Sequence, residues 1–559
     1  MNPHPLLDVR DLSISFTVDN LELKVVDKVS FQLGKAETLA VVGESGSGKT
    51  VTALAVLRLI PYPQGKIITG EILFQQVENQ PADILKLDER GIQKLRGQAI
   101  SIIFQEPMTS LNPVFTCGDQ VAESLRIHLG FTKKQAREKV LDLFNEVNLP
   151  RPPTVFNVYP HQLSGGQKQR VMIAMAIACN PAILIADEPT TALDVTVQKT
   201  ILGLMKKLQE SRKMSILFIT HDLGLVSGFA DRVLVMNKGR IVEEGSVKRI
   251  FQAPEHPYTR GLLACRPPTH IRPRRLPTIE NWLNEEQIKK AEIITSEIRN
   301  IEHERLYKQK PILEVERLGK QFGSFTALAK TSFLVYPGET LGIVGESGSG
   351  KTTLARAMLE LIPATEGKIV YQGHDITKMT SARLKLLRKD LQIIFQDPYS
   401  SLNPRLSVGP CILEPMKVHG LHQNDTKRKA KVLELLEKVG LKPEHYYRYP
   451  HEFSGGQRQR ICIARALAVE PRLIICDESV SALDVSVQAQ VLNLLNDLKR
   501  DFGLTYIFIS HDLSVVKFMS DRLIVMKNGI IVEMGEADMV YSNPRSEYTR
   551  LLLEAIPEN

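Results

Sequence analysis

Two stretches decide the fold: TLAVVGESGSGKT at residues 38–50 and TLGIVGESGSGKT at residues 340–352. In each, an apolar run of strand character enters G-x-x-x-x-G-K-T and leaves into a helical pattern. Glycines at Gly43, Gly46 and Gly48, and again at Gly345, Gly348 and Gly350, let successive backbone N–H groups wrap around an anion. The following helix adds the positive end of its dipole. Glu44, Ser45 and Ser47 complete the first loop, and Glu346, Ser347 and Ser349 the second. Lys49 and Lys351 bring a point charge to β/γ-phosphates, while the Thr50 and Thr352 hydroxyls suit magnesium.

The two loops belong to a larger repeat. YPHQLSGGQKQR at 159–170 returns as YPHEFSGGQRQR at 449–460. The loop lysines are 302 residues apart and the S-G-G-Q serines 290. The difference falls between these motifs, where the first copy carries a longer stretch around Ile67–Gly97. The chain therefore reads as a tandem duplication whose insertions sit on the surface.

Further motifs recur in both copies. AILIADE (182–188) and RLIICDE (472–478) are apolar strands that end in two carboxylates, as a metal site at the tip of a parallel sheet requires. Asp187 and Asp477 suit magnesium, and Glu188 and Glu478 suit a general base that polarises an attacking water. SILFITHD and TYIFISHD place His221 and His511 at strand ends, suited to a γ-phosphate contact. SIIFQEP and QIIFQDP do the same for Gln105 and Gln396, which can reach both metal and water. Ser164, Gly165, Gly166 and Gln167 open one helix; Ser454, Gly455, Gly456 and Gln457 open another. Each is a second anion cradle in a copy that already has one, which makes sense where it closes over a nucleotide held by the other copy.

Composition sets the outer bounds. At 559 residues the chain exceeds one ordinary domain, and 43% hydrophobic with 24% charged residues excludes a disordered or fibrous chain. No apolar run approaches the roughly 18 residues of a membrane span, and MNPHPLLDVRDLS lacks an export signal. The expectation is a cytosolic protein that cannot itself cross a membrane. Six scattered cysteines without a C-x-x-C pair predict reduced core thiols. A net charge of +8 suits nucleotide, membrane surface or nucleic acid alike.

Between the copies, residues 266–311 open on a proline-dense run (RPPTHIRPRRLP), which cannot be helical. Ile288, Ala291, Ile294, Ile298 and Ile301 then follow at spacings of three and four, predicting an amphipathic helix that tethers the halves or serves as an interaction arm. The domains expected are 1–265, this linker at 266–311, and 312–559.

The order of phosphate loop, glutamine, S-G-G-Q, D-E, A-L-D and histidine resembles that of ATP-binding cassette ATPases, over both halves. The resemblance implies an α/β fold: two tandem P-loop NTPase (RecA-like) cassettes, each with a helical signature subdomain and a short C-terminal extension. It implies that the cassettes stack head to tail, each ATP lying between one half's phosphate loop and the other's S-G-G-Q. Asp194 and Asp484 resemble the residues connecting the two sites, and Phe16 and Phe322 sit where the family stacks an aromatic on adenine. As lone residues, these two phenylalanines equally suit the core.

S-L-N-P segments after each glutamine, YPH before each signature, and the extensions FQAPEHPYTRGLL (251–263) and YSNPRSEYTRLLL (541–553) are similar to those of oligopeptide, dipeptide and nickel importer ATPases. Fusion of two cassettes resembles both the microcin C and the glutathione importer types, and the order of the halves and the short N-terminus look most like the microcin C type. The resemblance implies Mg2+ and ATP as cofactors, and two transmembrane permease subunits as partners. It alone implies a peripheral place on the cytoplasmic side of the inner membrane. A periplasmic or extracellular solute-binding protein acts indirectly, and the segments 106–122 and 397–414 receive permease helices. Some members hold an iron–sulfur cluster in the extension. Cys265 alone lies in the first extension and no cysteine in the second, so no cluster is expected. The second copy departs from the pattern at Ser479, where proline usually follows the glutamate, and in FSGGQ. Neither departure removes a chemical group. The rival reading is a soluble tandem-cassette translation factor on the ribosome. The importer-like segments and a linker of nine basic and seven acidic residues over 267–311 speak against that RNA-binding role.

Overall fold

The computed structural model describes residues 5–18, 21–75, 81–105, 110–191, 193–283 and 292–556. The chain divides into two compact units: residues 1–193 with 197–263, and residues 264–556 with 194–196.

In the first unit, a six-stranded sheet runs edge to edge as Arg240–Ser246, Arg232–Asn237, Thr38–Val42, Ser215–Thr220, Ile183–Asp187 and Ile100–Ile103. Only the Arg240–Ser246 edge is antiparallel to its neighbour. Thr38–Val42 and Ile183–Asp187 are buried at every position, as strands of a sheet covered on both faces must be. A four-stranded antiparallel sheet built on Leu7–Val18, Leu21–Leu33 and Gly65–Phe74 packs its Leu7, Val9 and Ile14 into one core with Ile185, Leu217 and Ile219. Burial of each such side chain contributes about 1.5–3 kcal/mol.

The second unit repeats the plan. Its six-stranded order is Leu391–Ile394, Leu473–Asp477, Thr505–Ile509, Thr340–Val344, Arg522–Lys527 and Ile530–Glu536. The accompanying four-stranded sheet contributes Leu313, Val315 and Ile369 to a core with Ile475, Ile507 and Ile509.

Each unit carries a helical segment between its glutamine and its Asp–Glu strand. In the first it comprises Cys117–Leu129, Lys133–Glu146, Pro152–Phe156 and Gly165–Ile177. In the second it comprises Val408–Val418, Asp425–Lys438 and Gly455–Leu467, with the short Pro398–Ser401 before them. Each unit ends in the extension expected from sequence: Val247–Gln252 and Pro257–Ala264, then Ala537–Ser542 and Glu547–Glu554. All six cysteines are buried thiols. Among the described residues, no helix is long and apolar enough to cross a membrane.

The linker corrects one expectation. Its helix spans Ser296–Tyr307 and belongs to the second unit, but it buries its polar face. Arg299 and His303 are buried, whereas Ile298 and Ile301 are 37% and 55% exposed. Ile294 lies before the helix, and Ile288 and Ala291 lie outside the described residues. The cause is an acidic seat. Arg299 pairs with Glu536 at 2.8 Å and with Asp538, and His303 lies 3.6 Å from Asp521. Tyr307 packs edge-on against Tyr336, with the Arg522 guanidinium over both rings. Charge pairing, invisible to apolar periodicity, decides which face turns inward.

Candidate functional site

Strand register brings the motifs of each cassette to one edge. Val42 lies opposite Thr220, so Gly43 and His221 begin side by side. Asp187 lies opposite Ile219, and Ile103 opposite Ala186, which sets Gln105 near Glu188. This is the carboxyl edge of a parallel sheet, where such folds bind ligands. The second cassette matches through Ile343 with Ile509, Asp477 with Ile509, and Ile394 with Cys476.

Each phosphate loop leads into a helix, Lys49–Val56 or Lys351–Met358, whose first residue is the motif lysine. The glycine before it, Gly48 or Gly350, adopts a left-handed conformation and supplies no side-chain cap. The first amides of these helices are therefore offered to a ligand. Gly43 is required by space: a Cβ there would stand 2.2 Å from the Met236 carbonyl oxygen. Buried Lys49 donates to the Gly43 and Glu44 carbonyls, both at 2.8 Å. Lys351 donates to those of Gly345 and Glu346 at 2.7 and 2.9 Å. Ser45 and Gly46, like Ser347 and Gly348, form exposed loop tips. The Ser47 and Ser349 hydroxyls are buried in the loops without a hydrogen-bond partner, as a phosphate contact requires.

The acids sit behind the loops. Thr50 donates to Asp187 at 3.1 Å, and Thr352 to Asp477 at 3.3 Å. Burial pushes the Asp187 carboxyl up to about 6, with adjacent Glu188 adding to the effect and Thr50 opposing it. Burial raises Asp477 likewise. Three groups converge on one oxygen of Glu188: Gln105 Nε2 at 2.9 Å, Thr191 Oγ1 at 2.9 Å and His221 Nδ1 at 3.1 Å. Burial opposes this charge, yet His221, Thr191 and Lys49 together hold the carboxyl below its ordinary value. Glu478 repeats the arrangement with Gln396 at 2.8 Å and His511 at 3.6 Å, and its other oxygen lies 3.9 Å from Lys351 Nζ. Both glutamates are thus held as ionised, hydrogen-bond-accepting carboxylates.

The remaining expected residues stand apart from this cluster. Ser164 and Ser454 cap their helices in reciprocal boxes with Gln167 and Gln457. Gly165 and Gly455 are exposed at those helix starts, while Gly166 and Gly456 pack close to Val197 and Val487. Phe322 is 50% exposed with Lys320 over its ring, available for stacking. Phe16 is partly buried against the core, beside Gly65. Glu106 to Thr109, part of the expected permease-facing segment, lie outside the described residues. Sequence reading missed Thr191, whose hydroxyl meets Glu188, and Tyr258 and Tyr548, which reach the phosphate loops from the extensions.

Fold and site together define a doubled P-loop ATPase. The ABC transporter family matches residues 26–191 and 328–481, and the family described as oligopeptide/dipeptide transporter, C-terminal region, matches 242–290 and 532–559. The chain belongs to the ABC transporter family, as an ATPase with tandem ATP-binding cassettes of the oligopeptide/dipeptide type. It is 49% identical over 576 residues to the glutathione import ATP-binding protein GsiA of Salmonella typhimurium, covering 100% of this chain and 90% of that one. The protein of the same name from Escherichia coli is 49% identical over 568 residues, covering 99% and 89%. A dimeric bacterial ABC transporter cassette of known structure aligns with 40% of this chain and 98% of its own length, at 27% identity and a TM-score of 0.38. The reading as a ribosomal translation factor finds no support among these relatives.

Proposed function

We propose that the chain powers an importer of short peptides or peptide-like compounds from the cytoplasmic face of the membrane. The observation that carries this is the importer-type extension, present after each cassette at 242–290 and 532–559. ATP held by Lys49 is closed by Ser454, Gly455, Gly456 and Gln457, and ATP held by Lys351 by Ser164, Gly165, Gly166 and Gln167. Both composite sites thus form within one chain, joined by the linker between domains 1–265 and 312–559. Phe16 and Phe322 stack on adenine. Thr50, Gln105 and Asp187 offer oxygen donors that fit Mg2+, as do Thr352, Gln396 and Asp477; bound there, the ion neutralises phosphate charge. Glu188 and Glu478 orient and deprotonate the attacking water, with His221, His511 and the two glutamines holding them in place.

Two transmembrane permease subunits receive the force, and a solute-binding protein outside the membrane delivers cargo to them. In the second cassette a groove of about 730 Å³ lined by Leu406, Pro410, Leu413, Glu414, Lys417 and Tyr446 supports this docking role. The cargo is of the microcin C or glutathione kind, both built on peptides. Proteoliposomes containing this chain and its permeases, with the solute-binding protein added outside, should take up labelled glutathione or a labelled peptide–nucleotide conjugate when ATP is enclosed with the cassettes. ATP hydrolysis with uptake of neither compound overturns the cargo assignment. Absence of any association with permeases overturns the importer.

A further inference from the structure

Each C-terminal extension sends one tyrosine into the phosphate loop of its own cassette. Tyr258, on the helix Pro257–Ala264, is 1% exposed, and its hydroxyl accepts the Glu44 backbone N–H at 3.1 Å. The same hydroxyl lies 3.3 Å from the Glu44 carboxylate, to which it donates. Tyr548, on Glu547–Glu554, accepts the Glu346 backbone N–H at 3.2 Å. Burial, chiefly, pushes the Tyr548 phenol up to about 12, so it stays protonated at neutral pH.

The bonded peptide is the one joining sheet to loop, Gly43–Glu44 or Gly345–Glu346. Its carbonyl end, Gly43 O or Gly345 O, is where the motif lysine anchors, at 2.8 and 2.7 Å. One peptide group is therefore held at its N–H by tyrosine and at its C=O by lysine. Hydrogen bonds in such a chain polarise one another, and a buried N–H left without its acceptor is costly. The tyrosines are themselves fixed. Glu243 accepts the backbone N–H groups of Glu255 at 2.8 Å and His256 at 3.1 Å, and Glu533 those of Arg545 at 2.8 Å and Ser546 at 3.0 Å. The arrangement occurs twice, although the extension sequences differ around it (EHPYTR against RSEYTR).

We propose that Tyr258 and Tyr548 are positioning residues for ATP: each holds the first peptide of its loop so that the motif lysine is set for the phosphates, and ties its extension to occupancy of that site. Any ligand that shifts the loop must then shift the extension, and by linkage whatever binds the extension alters ATP affinity. The inference rests on the loops being the nucleotide sites.

Tyr258→Phe and Tyr548→Phe remove only the hydroxyl, so they test it directly. Each is made in the full chain with the opposite loop silenced, Y258F with K351A and Y548F with K49A. The measurements are ATP dissociation constant, KM against kcat, and melting temperature. The ATP dissociation constant and KM should rise roughly 5–10-fold, from the loss of one net hydrogen bond, with a much smaller change in kcat. ATP should also protect the extension from proteolysis in the single-loop parents and lose that effect in the Phe variants. An ATP dissociation constant within twofold of the parent in both variants overturns the inference, as does a lowered melting temperature with unchanged affinity. A K49A/K351A double variant that still binds ATP would instead overturn the assignment of the loops themselves.

Discussion

Replacing Glu188 with glutamine removes the base while keeping its shape. In the structure one carboxylate oxygen gathers Gln105, Thr191 and His221 within 2.9–3.1 Å. The glutamine carbonyl can still accept from two of these donors, so the cluster should hold together with its charge gone. Loss of a general base slows the affected step by about 10²–10⁴-fold, equivalent to about 3–5 kcal/mol of barrier. ATP affinity should change little, because Lys49, the loop amides and Thr50 are untouched. The assay is steady-state phosphate release alongside equilibrium ATP binding, for E188Q, E478Q and the double variant. If the two sites work independently, each single variant keeps about half of the wild-type rate; if they are obligatorily coupled, each falls near the double variant. A wild-type rate in E188Q refutes the role given to Glu188 and makes that half a regulatory site.

Other predictions concern the linker, acid stability and membrane coupling. Arg299→Ala takes the linker-helix partner from Glu536 and leaves Asp538 with Arg272 alone, at 3.7 Å. A cost of about 2–3 kcal/mol is expected, below that of a fully buried pair because these acids are 28% and 39% exposed. The variant should melt earlier and be cleaved faster within residues 264–311, and unchanged proteolysis refutes the seat. Burial pushes Asp521 up, but Lys499, His303 and the Thr340 N–H outweigh it and hold the carboxyl well below the usual range. Its stabilisation is therefore complete above its unfolded value of about 4 and is lost as pH falls below it. Asp521→Asn should flatten the acid side of the stability profile, and an unaltered slope contradicts this. Charge reversal at Glu414 and Lys417 should reduce uptake several-fold while ATP binding persists; full uptake would remove the groove from the coupling path.

What was legible in the sequence follows from where the chemistry is encoded. The phosphate loops, Asp–Glu pairs, glutamines and histidines each end an apolar strand, so local pattern placed them and the register of one parallel sheet gathered them. The tyrosine contacts were not legible, because Tyr258 and Glu44 lie 214 residues apart, and Tyr548 and Glu346 lie 202 apart. No periodicity marks a hydroxyl that meets a distant peptide. The linker helix was misread for a related reason. Ile298 and Ile301 have helical spacing, but the acids that claim Arg299 and His303 come from Asp521, Glu536 and Asp538, far along the chain. Phe16 and Phe322 show the limit of transfer between repeats, since equivalent positions differ in burial.

The central claim is that one chain supplies two complete nucleotide sites. It is tested most directly by counting nucleotides trapped in the E188Q/E478Q variant, with molar mass measured on the same sample. The account predicts two ATP per chain at the mass of a monomer, 62.7 kDa plus ligand. One ATP per chain, or trapping only in a species of twice that mass, would contradict it.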